Sequence, residues 1–217
     1  ANQSFAQVAE SVPFMASKGG AIDFGLILAS LVGVVIIGGI KRIGEVAAGL
    51  VPFMCILYVI CGVSLLIAHA SSLGAAVGTI VSEAFSWQAG AGGFFGVLIQ
   101  GFRRAAFSNE AGTGSAAIVH SAAITNEPVR EGIVALLEPF IDTVVVCTMT
   151  ALVIVVSGVY DVSAYPAHAD MIANNKGAEL TLTAFTTVEF FQDWFPWVLM
   201  FAVTLFALFL FWTIVTV

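Results

Sequence analysis

The sequence predicts an all-α integral membrane protein, a polytopic helical bundle forming part of a single transmembrane domain over residues 1–217. Three observations lead there. Of the 217 residues, 59% are hydrophobic and only 10% charged, and the mean hydropathy is +1.03. A soluble domain carries about 25% charged residues, so this chain lacks the polar surface needed to face water on every side. Five apolar runs also stand out, each close to the length that crosses a hydrocarbon core about 30 Å thick at about 1.5 Å per residue. Finally, the charged residues gather in connectors and in one interrupted segment.

The expected helices lie at about 24–40, 50–68, 92–123, 133–158 and 197–217, the third interrupted near 107–114. Asp23 and the pair Lys41–Arg42 bound the first. Lys41–Ala48 reads as a short basic connector and Thr125–Glu131 as another, carrying Pro128 and Arg130. The connectors at 70–91 and 160–194 are long, and the second holds Asp161, Asp170, Glu179, Glu189 and Asp193. Lys41, Arg42 and Arg130 place the short connectors in the cytoplasm against Lys18 and Lys176 on the other side. Trp87, Trp194 and Trp197 then fall at an outer aromatic belt. Short helices are expected at 74–85 and 178–189 within the long connectors. The start lacks a Met or a basic signal region, and the end stops inside an apolar run. The chain therefore reads as a piece of a longer protein.

Composition excludes several functions. A net charge of −7 does not suit a nucleic-acid partner. Cys55, Cys61 and Cys147 lie in apolar runs, without the spacing of a metal site, and read as small packing residues. No hydrolase, zincin or P-loop motif is present, so the chain is not expected to be an enzyme. Ser115 and His120 are five residues apart, a poor spacing for a nucleophile pair on a helix.

The chemistry concentrates between 101 and 120. Arg103, Arg104, Ser108, Asn109, Glu110, Thr113 and Ser115 interrupt an otherwise apolar stretch. An ionised group at the bilayer centre costs roughly 2.5–3.5 kcal/mol, so this segment must face protein or a water-filled cavity. Gly112 and Gly114 weaken the helix by about 1 kcal/mol each relative to alanine. A break there frees backbone groups that need partners, and in transporters the partners are solute and ions. A half-helix starting near Thr113 would turn its amino end towards a carboxylate, and the carbonyls of 107–109 would face a cation. The same glycines also fit a small-residue packing seam, and the two arginines also fit a braced vestibule paired with Glu110. Glu138 and Asp142 are four residues apart and share a helix face. Between them Pro139 leaves the carbonyl of Ala135 without its usual donor. Asp142 lies about 15 Å into its segment. It reads as a cation or proton site, or as a member of a static network with Arg103 or Arg104.

Several strings carry a family resemblance. RAAFSNEAGTGSA (104–116), GGIKRI (38–43) followed by LVPFM (50–54), NEPVREGIV (126–134) and EPFIDT (138–143) resemble the sodium:alanine/glycine symporter family. The likeness runs from about Ile22 to Ser157. It implies the leucine-transporter type of inverted repeat, with the five segments as about core helices four to eight. The interrupted segment would be the unwound sixth, which holds the solute together with the first core helix, a helix these residues do not include. Phe107, Ser108, Asn109, Gly112, Thr113 and Gly114 fall on the substrate-binding positions, and Asn109, Ser115, Glu138 and Asp142 are the ion-coupling candidates. The ligands of sodium are left unassigned. The pattern usual in the family's eighth helix is not matched by FALFLFWTIVTV (206–217), so no ligand is carried over there.

The resemblance implies a multi-pass cell-membrane transporter importing alanine or glycine with sodium. The partners are the amino acid, sodium and the lipid bilayer; no cofactor besides the coupling ion and no nucleic acid are expected. A proton-coupled carrier of another small solute and a non-transporting membrane scaffold or channel subunit are the rival readings.

Overall fold

This computed structural model describes residues 2–86, 93–96, 98–99, 101–102, 114, 116–121, 123–174 and 176–216. Among them all regular structure is helical. The labelled helices are α1 (Asn2–Ser11), α2 (Lys18–Ile36), α3 (Gly39–Ala68), α4 (Ala70–Ala84), α5 (Ala116–His120), α6 (Pro128–Ala135), α7 (Thr148–Ser157), α8 (Ala169–Ala173), α9 (Gly177–Thr186), α10 (Glu189–Gln192) and α11 (Phe195–Thr216). Between α6 and α7 the chain stays helical, through one turn at Leu137–Pro139 and a π-helical stretch at Phe140–Cys147.

Among the described residues three spans are long and apolar enough to cross a membrane: Gly19–Ile36, Lys41–Ala68 and Pro128–Ser157. Their outward residues suit a hydrocarbon solvent. On α2, Ile22, Leu26, Ile27, Leu31 and Val34 are exposed, and on α3, Phe53, Ile56, Ile60 and Ile67. A water-soluble protein rarely shows apolar area so continuous.

Element boundaries differ from the sequence reading at three places, each for a local reason. Lys41–Ala48 is not a connector. It forms the first turns of α3, and the connection from α2 shrinks to Ile37 and Gly38. Gly39 has φ +73°, a left-handed backbone that lets the chain change direction within two residues. Lys41 and Arg42 can keep their charged ends near an interface on long apolar stems. Pro128, Arg130 and Glu131 likewise leave the expected connector, because Pro128 is at the start of α6, where a missing N–H costs nothing. The third difference is α1, which had no counterpart among the five segments: its ten residues are too few to stand out by length.

The chain forms two compact units, residues 1–67 with 153–216 and residues 68–152. In the first, α1 and α2 pack against α11. Ser17 starts α2 by accepting from the Gly20 N–H at 3.0 Å. Val8, Phe24, Leu28, Ile43 and Leu208 form one buried cluster. Gln7 is fully buried beside them, and its amide finds no partner among the described residues, nor does the hydroxyl of Ser11 one turn on. A second cluster gathers Cys61, Leu65, Val153, Leu182, Phe185, Phe191, Phe195 and Leu199. Phe185 and Phe195 stack with ring centres 3.9 Å apart, and Tyr58 and Phe191 flank them. The long acidic connector is thus held by its apolar residues. Asp161, Asp170, Glu189 and Asp193 stay exposed, and Lys176 pairs with the half-buried Glu179 at 3.1 Å.

In the second unit α4 occupies much of the 70–91 connector, starting four residues before the expected short helix. The rest of this unit holds the candidate site.

Two outcomes follow. Phe185→Ala in the full-length protein should cost about 3–5 kcal/mol, read as a lower thermal midpoint, with Phe185→Leu milder. Asp161 accepts from both the N–H and the hydroxyl of Ser163, at 2.9 and 2.5 Å. These bonds, the hydroxyl's first, hold its carboxyl below the ordinary range. Their contribution to stability is present above that range and fades as pH falls through the lowered value. Ser163→Ala should move the titration of Asp161 upwards, as followed by carboxyl carbon NMR shifts.

Candidate functional site

The break expected near 107–114 has one described residue, Gly114, and it is in a turn with φ +82°. An L-residue in that conformation pays about 1–2 kcal/mol, which glycine avoids. No right-handed helix runs through this position, and among the described residues the next helix is α5, Ala116–His120. The described half-helix is five residues long. The carboxylate role expected for the amino end of a half-helix starting near Thr113 falls on a position outside the described residues. Phe107, Ser108, Asn109, Gly112, Thr113 and Ser115 lie outside the described residues, as do Arg103, Arg104 and Glu110.

After α5 the chain turns through short-range hydrogen bonds. Ala123 N–H donates to the His120 carbonyl at 3.1 Å, and Thr125 Oγ1 accepts from the Glu127 N–H at 3.2 Å. Pro128 then starts α6 and Arg130 N–H closes its first turn on the Glu127 carbonyl at 2.9 Å.

Exposure along the 128–150 run has a helical period. The least exposed positions are Glu131, Ala135, Glu138, Pro139, Asp142, Val146, Met149 and Thr150. On the other faces Ile133, Val134, Leu136, Leu137, Phe140, Ile141, Val144 and Val145 are exposed. Spacings of three and four residues put the first set on one stripe. Both expected carboxylates, Glu138 and Asp142, therefore sit on the least exposed stripe of a helix whose other faces are mostly apolar. That is where an intramembrane carboxylate belongs, because a lipid-facing one would be costly.

The helix around Asp142 is not an ordinary one. Phe140–Cys147 is π-helical, starting directly after Pro139. A proline lacks the N–H needed by the i→i−4 ladder, and a wider turn is one way to accommodate the gap. The sequence pointed to the missing donor but not to the eight-residue length of the response. Thr150 adds its hydroxyl to the Val146 carbonyl at 2.8 Å.

One functional pairing was missed by the sequence reading. His120 Nδ1 lies 2.7 Å from Glu131 Oε1, each side chain about a quarter exposed at 26%. In the sequence His120 stands beside only Ser115 as a partner, and Glu131 reads as the end of a connector. The available signal was Pro128: as the first residue of a helix it puts Glu131 in the first turn.

Replacing Gly114 with alanine should lower the stability of the full-length protein by about 1–2 kcal/mol, with Gly114→Asn milder, by thermal unfolding.

Comparison with known proteins comes from sequence. Residues 1–216 match the sodium:alanine symporter family. The chain is 41% identical over 162 residues to the sodium/alanine symporter AgcS of Methanococcus maripaludis, covering 74% of this chain and 34% of AgcS. Two Bacillus subtilis proteins are also similar. One is named "Probable sodium/glutamine symporter GlnT", at 38% identity over 140 residues, 64% of this chain and 29% of that protein. The other is the amino-acid carrier protein AlsT, at 34% over 139 residues, 64% of this chain and 30% of AlsT. The chain spans about a third of the length of the curated relatives it matches.

Proposed function

Because this chain belongs to the sodium:alanine symporter family, a family of membrane transporters rather than enzymes, we propose that the whole protein imports a small neutral amino acid, alanine or glycine, together with sodium across the cell membrane. The observation that carries this reading is the left-handed Gly114, which interrupts a segment too polar to cross lipid as a plain helix. We place the chain at about core helices four to eight of a leucine-transporter-type inverted repeat.

In this mechanism the backbone of 107–114 holds the main-chain groups of the solute. Phe107, Ser108, Asn109, Gly112, Thr113 and Gly114 form this chain's share of the pocket. Asn109 and Ser115 are available to the ion. Glu138 and Asp142, on the sheltered stripe, tune its binding through their negative charge. No bond is made or broken in the solute. Solute and ion together shift the balance between outward- and inward-facing states, by binding one state better than the other. No cofactor beyond the coupling ion takes part.

The test is uptake by the full-length protein in liposomes. An inward sodium gradient at fixed pH should drive saturable accumulation of labelled alanine or glycine. Asp142→Asn should raise the sodium concentration needed for half-maximal uptake by about tenfold, the loss of one charge–ion interaction worth about 1.4 kcal/mol. Uptake that ignores sodium and follows a proton gradient would point to a proton-coupled carrier. Absence of saturable uptake or binding, with Asn109→Ala and Thr113→Ala tolerated, would leave the scaffold reading standing.

A further inference from the structure

The His120–Glu131 pair joins two neighbouring elements, α5 and α6, which also lie against each other. α5 is the arm that follows the Gly114 turn, and α6 begins the run carrying Glu138 and Asp142. Between them, the described backbone hydrogen bonds of 121–130 close turns of three or four residues, such as Ser121 to Ala117 and Arg130 to Glu127. The side-chain pair spans eleven residues at 2.7 Å. Glu131 is in the first turn of α6, a position where an anion is favoured.

Chemistry sets how the pair works. Nδ1–H donates to the carboxylate whether or not Nε2 also carries a proton, so the tie does not depend on a charged imidazole. Glu131 lies seven residues before Glu138 and eleven before Asp142, on the same sheltered stripe. A displacement of α5 therefore pulls on the stripe that holds both carboxylates.

We propose that His120 and Glu131 are positioning residues: their hydrogen bond latches the arm after the Gly114 break to the helix of Glu138 and Asp142, so that both move as one body in the transport cycle. This rests on the symporter reading above. Neither residue touches solute or ion. The latch therefore governs the rate of the conformational step and not affinity.

The experiment uses the full-length protein in liposomes, with alanine as the solute. His120→Ala should lower the maximal uptake rate about tenfold with KM within about twofold, the pattern of a lost interaction that acts after binding. His120→Asn places an amide N–H where Nδ1–H was and should recover most of that rate. The pair His120→Ala/Glu131→Ala should be no slower than His120→Ala alone, because the two residues act as a unit. Equal rates for His120→Ala and His120→Asn would overturn the latch, as would losses that multiply in the double variant or a loss confined to KM. If the wild type shows no sodium-driven uptake of alanine or of glycine, the symporter reading fails and the tie is judged by thermal unfolding of the same variants. Coupled effects of the two alanine changes then support the tie between α5 and α6, and additive effects overturn it.

Discussion

The constraint on which the rest of this structure depends is where an apolar chain can put a charge. Three spans present continuous hydrocarbon outwards and leave few places for a carboxylate. An ion facing lipid at mid-depth would cost roughly 2.5–3.5 kcal/mol. Glu138 and Asp142 avoid this because helical spacing puts them on the least exposed stripe of their run, with Pro139 between them. The same economy governs the long acidic connector. Phe185, Phe191 and Phe195 pull it into a core, while Asp161, Asp170, Glu189 and Asp193 stay exposed and the half-buried Glu179 is paired with Lys176.

Backbone irregularity is the second theme. A polar group freed from the helical ladder must find another partner or stay near water. This chain frees such groups at defined places. Gly39 and Gly158 take left-handed conformations at helix boundaries, where they shorten connections. Gly114 takes one inside the segment that the family resemblance makes the solute segment. Pro139 precedes a π-helical stretch that contains Asp142. Wide turns of this kind are rare and recur at functional sites, and here one coincides with a carboxylate on the sheltered face. The coincidence joins backbone geometry to the chemistry proposed for the ion.

Much of this was legible beforehand, residue by residue. The apolar runs that became α2, α3 and the 128–157 helix announced themselves by length. The polar string at 104–116 led to the family, to which residues 1–216 match. The i,i+4 relation of Glu138 and Asp142 needed only helical periodicity. Other features were hidden for physical reasons. A basic pair looks like a loop, yet Lys41 and Arg42 fit the first turns of α3 because their stems are long and Gly39 does the turning. Nothing in the local sequence marks Gln7 for burial, yet it is fully buried. Its burial comes from packing of α1 with its neighbours, distant in sequence.

By itself, then, the order of residues determined the solvent, the helical class, the position of the weak segment and the family. Each of these depends on local quantities: apolar length, helical period and glycine or proline content. Only the tertiary structure decided which face of each helix is sheltered, how wide the turns around Asp142 become, and that His120 meets Glu131 at 2.7 Å. Those depend on atoms brought together by packing, and the free energy of packing is shared among neighbours that no local window contains.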